Sequence, residues 1–71
     1  MLVPKISEIQ RRREDAGLSR QKLSLMAGLP SNAILRIEAG RARYTYPIRA
    51  RAIAEALHCE VEDIFTETKE A

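Results

Sequence analysis

Apolar residues recur along this chain at the spacing of helices. Ile6, Ile9, Arg13 and Ala16 fall at i, i+3, i+7 and i+10, one helical stripe interrupted by a cation. Ser19 is a favourable N-cap, and Leu23, Met26 and Ala27 after it share a face, with Met26 expected as core filler. After Pro30, Ile34 and Ile37 point inward and Gly40 ends the segment. Ile53, Ala54 and Leu57 form a fourth stripe beyond Pro47, and Val61, Ile64 and Phe65 predict a short fifth helix. Breaks at Gly17, Gly28-Leu29-Pro30, Gly40 and Tyr44 to Pro47 separate these segments. With no period-2 strand, repeat or low-complexity stretch, the pattern predicts an all-α fold of five short helices. The domain is expected to span residues 1–66, with a frayed tail over 67–71.

Composition narrows the class. The 71 residues make one small domain, and with only 4% aromatic residues its core must be aliphatic and alanine-rich. A domain this size buries only about 60% of its unfolded surface, so self-association is expected. No run approaches the ~18 apolar residues of a membrane span, and the opening MLVPKISEIQRRRED lacks a signal-peptide core. A cytoplasmic protein is expected. The lone Cys59 excludes an internal disulfide framework and the common zinc clusters. His58 and Cys59 adjoin, but two side chains make neither a zinc site nor a nucleophile–base pair; a helix-end histidine and a core thiol fit them better. Glu14 and Asp15 diverge on a helix and read as solvated. There is no Gly-rich phosphate loop. No enzyme, cofactor, metal or small-molecule ligand is expected.

The charge is unevenly placed. Residues 1–51 carry 11 basic and 4 acidic side chains, a net +7, whereas residues 52–71 carry 1 and 6, a net −5. Most of the basic residues are arginines, whose planar forks suit phosphate oxygens. A basic body with an acidic end suits a polyanion-binding face backed by a solvated one, although an ordinary charged surface gives the same count.

The second and third helices carry the most information. Arg20 to Ala27 and Ser31 to Ala39 each make about two turns, joined through Gly28, which permits a positive-φ turn residue. Such a pair is either a plain helical hairpin or a helix-turn-helix, whose second helix enters the DNA major groove. Small Ser24 and Ala27 allow close approach, and Leu23, Leu29, Ile34 and Ile37 fix the crossing. Opposite the buried Ile34 and Ile37, at 100° per residue, lie Asn32, Leu35 and Arg36, with Ser31 at the N-terminal tip. Asparagine can pair with adenine, arginine with guanine, and leucine can meet a thymine methyl. An exposed leucine beside both is odd on a solvated face and natural on a base-reading one.

The segment LSRQKLSLMAGLPSNAILRIEAG resembles the Xre or Cro/CI-repressor type of helix-turn-helix, and the likeness runs from about Ile9 to Phe65. It rests on Arg13, Gly17-Leu18-Ser19, Leu23, Ala27-Gly28, Ile34, Ile37-Glu38, Gly40, Ile53-Ala54, Ala56-Leu57 and Ile64-Phe65. The resemblance implies a compact five-helix, lambda-repressor-like DNA-binding domain, usually a homodimer on a two-fold operator. It implies that Ser31, Asn32 and Arg36 face base edges, joined by Leu35 from the residue reading. It places Ser19, Arg20 and the loop Arg41-Ala42-Arg43-Tyr44 at phosphates. Arg13 and Glu38 match a structural ion pair between helices one and three, in keeping with a cation in an apolar stripe. Val61, Ile64 and Phe65 could cap the domain's own core or bury against a second copy; the family often dimerises through this region. Four departures stand out: Arg12 for the usual buried leucine, Pro30 for the usual N-cap serine, His58 for the usual glycine, and TYPIRAR short of two apolar residues. The expected function is sequence-specific double-stranded DNA binding by a transcriptional regulator associated with the nucleoid. The alternative is an antitoxin or adaptor acting mainly through protein–protein contacts.

Overall fold

The computed structural model describes residues 1–68. The element order is β1 (Leu2–Pro4), α1 (Ile6–Asp15), α2 (Arg20–Met26), α3 (Ala33–Glu38), α4 (Pro47–Ala56), α5 (Val61–Ile64) and β2 (Phe65–Glu67). All five expected helices are present. The fold is not wholly helical, however, because β1 and β2 pair antiparallel in the register Leu2 with Glu67, Val3 with Thr66 and Pro4 with Phe65. Strands of three residues are too short to show a period-2 alternation, so their pairing was invisible along the sequence. Leu2 also exchanges two backbone hydrogen bonds with buried Thr45, at 3.1 and 2.7 Å, drawing the α3–α4 connection onto the sheet edge.

Helices α1 to α4 end in one and the same way. After α2, the Gly28 amide donates to the Leu25 carbonyl and the Leu29 amide to the Ser24 carbonyl, at 3.0 and 2.9 Å. This is the Schellman arrangement, and it needs the positive φ of Gly28 (+73°) at its turning residue. Gly17 and Gly40 do the same for α1 and α3, and His58 does so for α4 at φ +56°. Helix starts vary more. The Ser19 hydroxyl accepts the Lys22 amide at 3.0 Å, Pro47 opens α4, and Glu60 and Asp63 form a reciprocal capping box on α5.

The core is a single aliphatic cluster of Leu2, Ile9, Leu23, Ile34, Ile37, Ala50, Ile53, Ala54 and Ile64 around Phe65. Phe65 lies outside helix five, where it was expected, and takes an extended backbone at φ −136° and ψ 151°. That turn points the protein's one phenylalanine into the cluster. Met26 is half-exposed instead of filling the core, because α2 ends there and its inward face is supplied by Leu23 and Ser24. Ala16 is likewise exposed, at the end of α1. Arg12 lays a half-buried stem on the surface and donates to Glu8 at 3.3 Å. In the tail expected to fray, Glu67 belongs to β2 and the Thr68 amide donates to the Met1 carbonyl at 3.0 Å. Residues 69–71 lie outside the described residues. Among the described residues, no helix is long and apolar enough to cross a membrane.

Candidate nucleic-acid interface

Two polar contacts hold α3 in place. Ser24, fully buried on α2, donates its hydroxyl to the Arg20 carbonyl at 2.8 Å and accepts the Ile34 amide at 3.0 Å. One of the four free amides at the start of α3 is thereby satisfied from the neighbouring helix. Sequence reasoning valued Ser24 only for its small size and missed this bond. The second contact is the expected ion pair. Arg13 Nε donates to Glu38 Oε2 at 2.7 Å and Nη2 to Oε1 at 3.2 Å, while Nη1 donates to the Leu18 carbonyl at 2.8 Å. Its hydrogen bonds to the Glu38 carboxylate raise the pKa of Arg13 above its ordinary value.

With Ile34 and Ile37 turned into the core, α3 presents its other face to solvent. Asn32, Leu35 and Arg36 are all exposed on it, Leu35 to 47%. The helix starts two residues later than expected. Asn32 is its N-cap, without a side-chain cap bond, and Ser31 lies in the preceding turn, where the Ala33 amide donates to the Pro30 carbonyl at 3.0 Å. The carboxamide of Asn32 is therefore left available for an incoming partner. Ser31 stays exposed at the tip of the same surface.

The cations divide into two populations. On α1, Arg11 pairs with Glu8 and Asp15, Arg12 with Glu8, and Arg13 with Glu38. Glu8 is held below the usual carboxylate range, first by the hydrogen bond from Arg11. Beyond Glu38 the picture changes. Residues 39–54 contain Arg41, Arg43, Arg49 and Arg51 and no acidic residue, and none of the four has an ion-pair partner among the described residues. Arg36 on α3 likewise has no ion-pair partner among the described residues. Arg43 lies over the Tyr44 ring at 5.9 Å from its centre, a cation–π contact that leaves its fork exposed. Arg20, half-exposed, stands 3.7 Å from Glu38 at the edge of the buried pair. The Ser19 oxygen accepts the Lys22 amide as the α2 cap, and its hydroxyl proton is still there to donate to an anion.

Between α3, the following loop and α4 runs a groove of about 650 Å³. Asn32 and Arg36 form one wall, and Tyr44, Tyr46, Ile48 and Arg49 form another. Tyr46 and Ile48 are 70% and 85% exposed, an unusual display of apolar surface that was not anticipated. The acid-free run through residues 39–54 was the available signal.

Of the three residues expected either to cap the core or to meet a second copy, Ile64 and Phe65 are 0% and 2% exposed and pack in the domain's own core, while Val61 is partly accessible. Among the described residues no three His, Cys, Asp or Glu side chains are grouped to hold a metal ion.

Residues 9–64 match a family model described as Helix-turn-helix. No match was found among curated proteins. Among solved structures, the restriction-modification controller protein C.AhdI from Aeromonas hydrophila superposes with a TM-score of 0.74. The two chains are 24% identical, and the alignment covers 82% of this chain and 86% of that one. At this identity the likeness speaks for the fold.

Proposed function

We propose, from the premise that this chain belongs to the helix-turn-helix family, that it is a sequence-specific double-stranded DNA-binding regulator of transcription. It is of the repressor or controller type and acts as a homodimer that places α3 in the major groove. The observation that carries this reading is the exposed Asn32, Leu35 and Arg36 on α3, beside Arg41, Arg43 and Arg49, which have no ion-pair partner among the described residues.

Each contact follows from the chemistry of its side chain. The free carboxamide of Asn32 suits the N6 and N7 edge of adenine, the Arg36 fork suits O6 and N7 of guanine, and Leu35 suits a thymine methyl. Ser31 is placed to donate at the tip. Ser19, Arg20, Arg41, Arg43 and Tyr44 meet phosphates, fixing register without reading sequence. Two copies related by a two-fold axis would set their α3 helices about 34 Å apart, one helical turn of DNA. Val61 remains a candidate contact between copies. A cytoplasmic, nucleoid-associated location accompanies this role.

The test is selection of bound duplexes from a random pool at about 150 mM salt, where non-specific binding is weakened. An enriched inverted repeat supports the dimeric regulator. Failure to enrich any sequence by the folded protein would shift the reading to an adaptor or antitoxin acting through protein contacts.

A further inference from the structure

We propose that Arg49 of α4 is a phosphate contact and that the groove between α3 and α4 seats the backbone of one DNA strand. The inference rests on the DNA-binding reading above and extends the interface to an element outside the helix-turn-helix.

Arg49 lines the same groove as Asn32 and Arg36, so a strand read by α3 passes within reach of α4. Its guanidinium has no ion-pair or hydrogen-bond partner among the described residues, unlike the arginines of α1. With no acidic side chain between residues 39 and 54, no carboxylate of its own segment competes for it. A polyanion is the ligand class this charge distribution favours. The flanking Tyr46 and Ile48 add the apolar half of the fit. Against the edge of a deoxyribose they would lose water-exposed surface and shield the arginine–phosphate contact from solvent. A fully solvated α4 gives Ile48 no such role.

Arg51 is a built-in control. Two residues further on, it lies about 200° around the helix, and it does not line the groove. Both arginines are exposed, so substituting either leaves the core untouched.

The experiment measures affinity for a labelled synthetic duplex of fixed mixed sequence across a series of sodium chloride concentrations. Loss of one phosphate contact lowers the slope of log K against log salt by about 0.9. Arg49→Gln is expected to show that change, Arg49→Lys to retain most of the slope, and Arg51→Gln to change it far less. Equal effects of Arg49→Gln and Arg51→Gln, or an unchanged slope in Arg49→Gln, overturn the assignment of Arg49 while the DNA reading stands. Absence of any duplex binding by the unsubstituted protein overturns the DNA reading, and this inference with it.

Discussion

Arg13 on α1 donates to both carboxylate oxygens of Glu38 at the end of α3, so those helices cannot part without stranding a charge. The side chains are 9% and 5% exposed. Removing one partner from a deeply buried pair costs about 3–5 kcal/mol, and water near the edge of so small a domain brings the expected loss for Glu38→Gln to about 2–3 kcal/mol. Urea unfolding should show that drop, with a smaller one for Arg13→Met combined with Glu38→Leu, where no charge is left unpaired.

Ser24→Ala leaves the buried Ile34 amide without its acceptor. A stranded buried donor costs about 1–3 kcal/mol. A thermal melt should fall accordingly. A melt within error of the unsubstituted protein would show that the start of α3 finds another partner.

Arg36→Ala should relax base preference at one position and cost about 1–3 kcal/mol on the preferred sequence. Arg41→Ala and Arg43→Ala should weaken all sequences alike and lower the salt slope by about one unit each. Binding titrations on matched and scrambled duplexes separate the two patterns.

Burial pushes the Cys59 thiol above its ordinary pKa, outweighing the pull of Arg12. The neutral thiol is thus favoured by folding. Its contribution to stability is complete below the unfolded-state pKa and fades as pH rises through the folded one. At mildly alkaline pH, alkylation by iodoacetamide should run slower in the native protein than in urea, and a native rate equal to the unfolded rate would contradict the burial argument.

His58 occupies the left-handed turning position after α4 at φ +56°, where a Cβ is strained and glycine is at ease. His58→Gly is expected to stabilise the domain by roughly 0.5–1 kcal/mol, net of the entropy glycine adds to the unfolded chain. Denaturant midpoints at constant slope would check it.

Much of this fold was legible because its punctuation is chemical. Gly17, Gly28 and Gly40 marked three helix ends, and Ile34 with Ile37 fixed which side of α3 faces outward. Arg13 within an apolar stripe demanded a partner, and Glu38 provides it. Contacts between residues far apart along the chain were the part that could not be read. Nothing local announces that Leu2 will pair with Glu67 and bridge to Thr45. The amphipathic stripe of Val61, Ile64 and Phe65 looks the same whether it covers its own core or another copy, and only the burial of Ile64 and Phe65 separates the cases. Tyr46 and Ile48 had no periodic signature, since their surroundings come from a neighbouring helix.

The pairing of β1 with β2 has a kinetic corollary. It joins nearly the first and last described residues, so the loop it closes is almost the whole chain, whereas α2 and α3 meet across a handful of residues. Closing so large a loop carries an entropic penalty that is recovered only after the helices have gathered. The two strands are therefore expected to zip late, as a latch on an already assembled bundle. Weakening them should hasten escape from the native state while leaving the speed of its formation almost untouched.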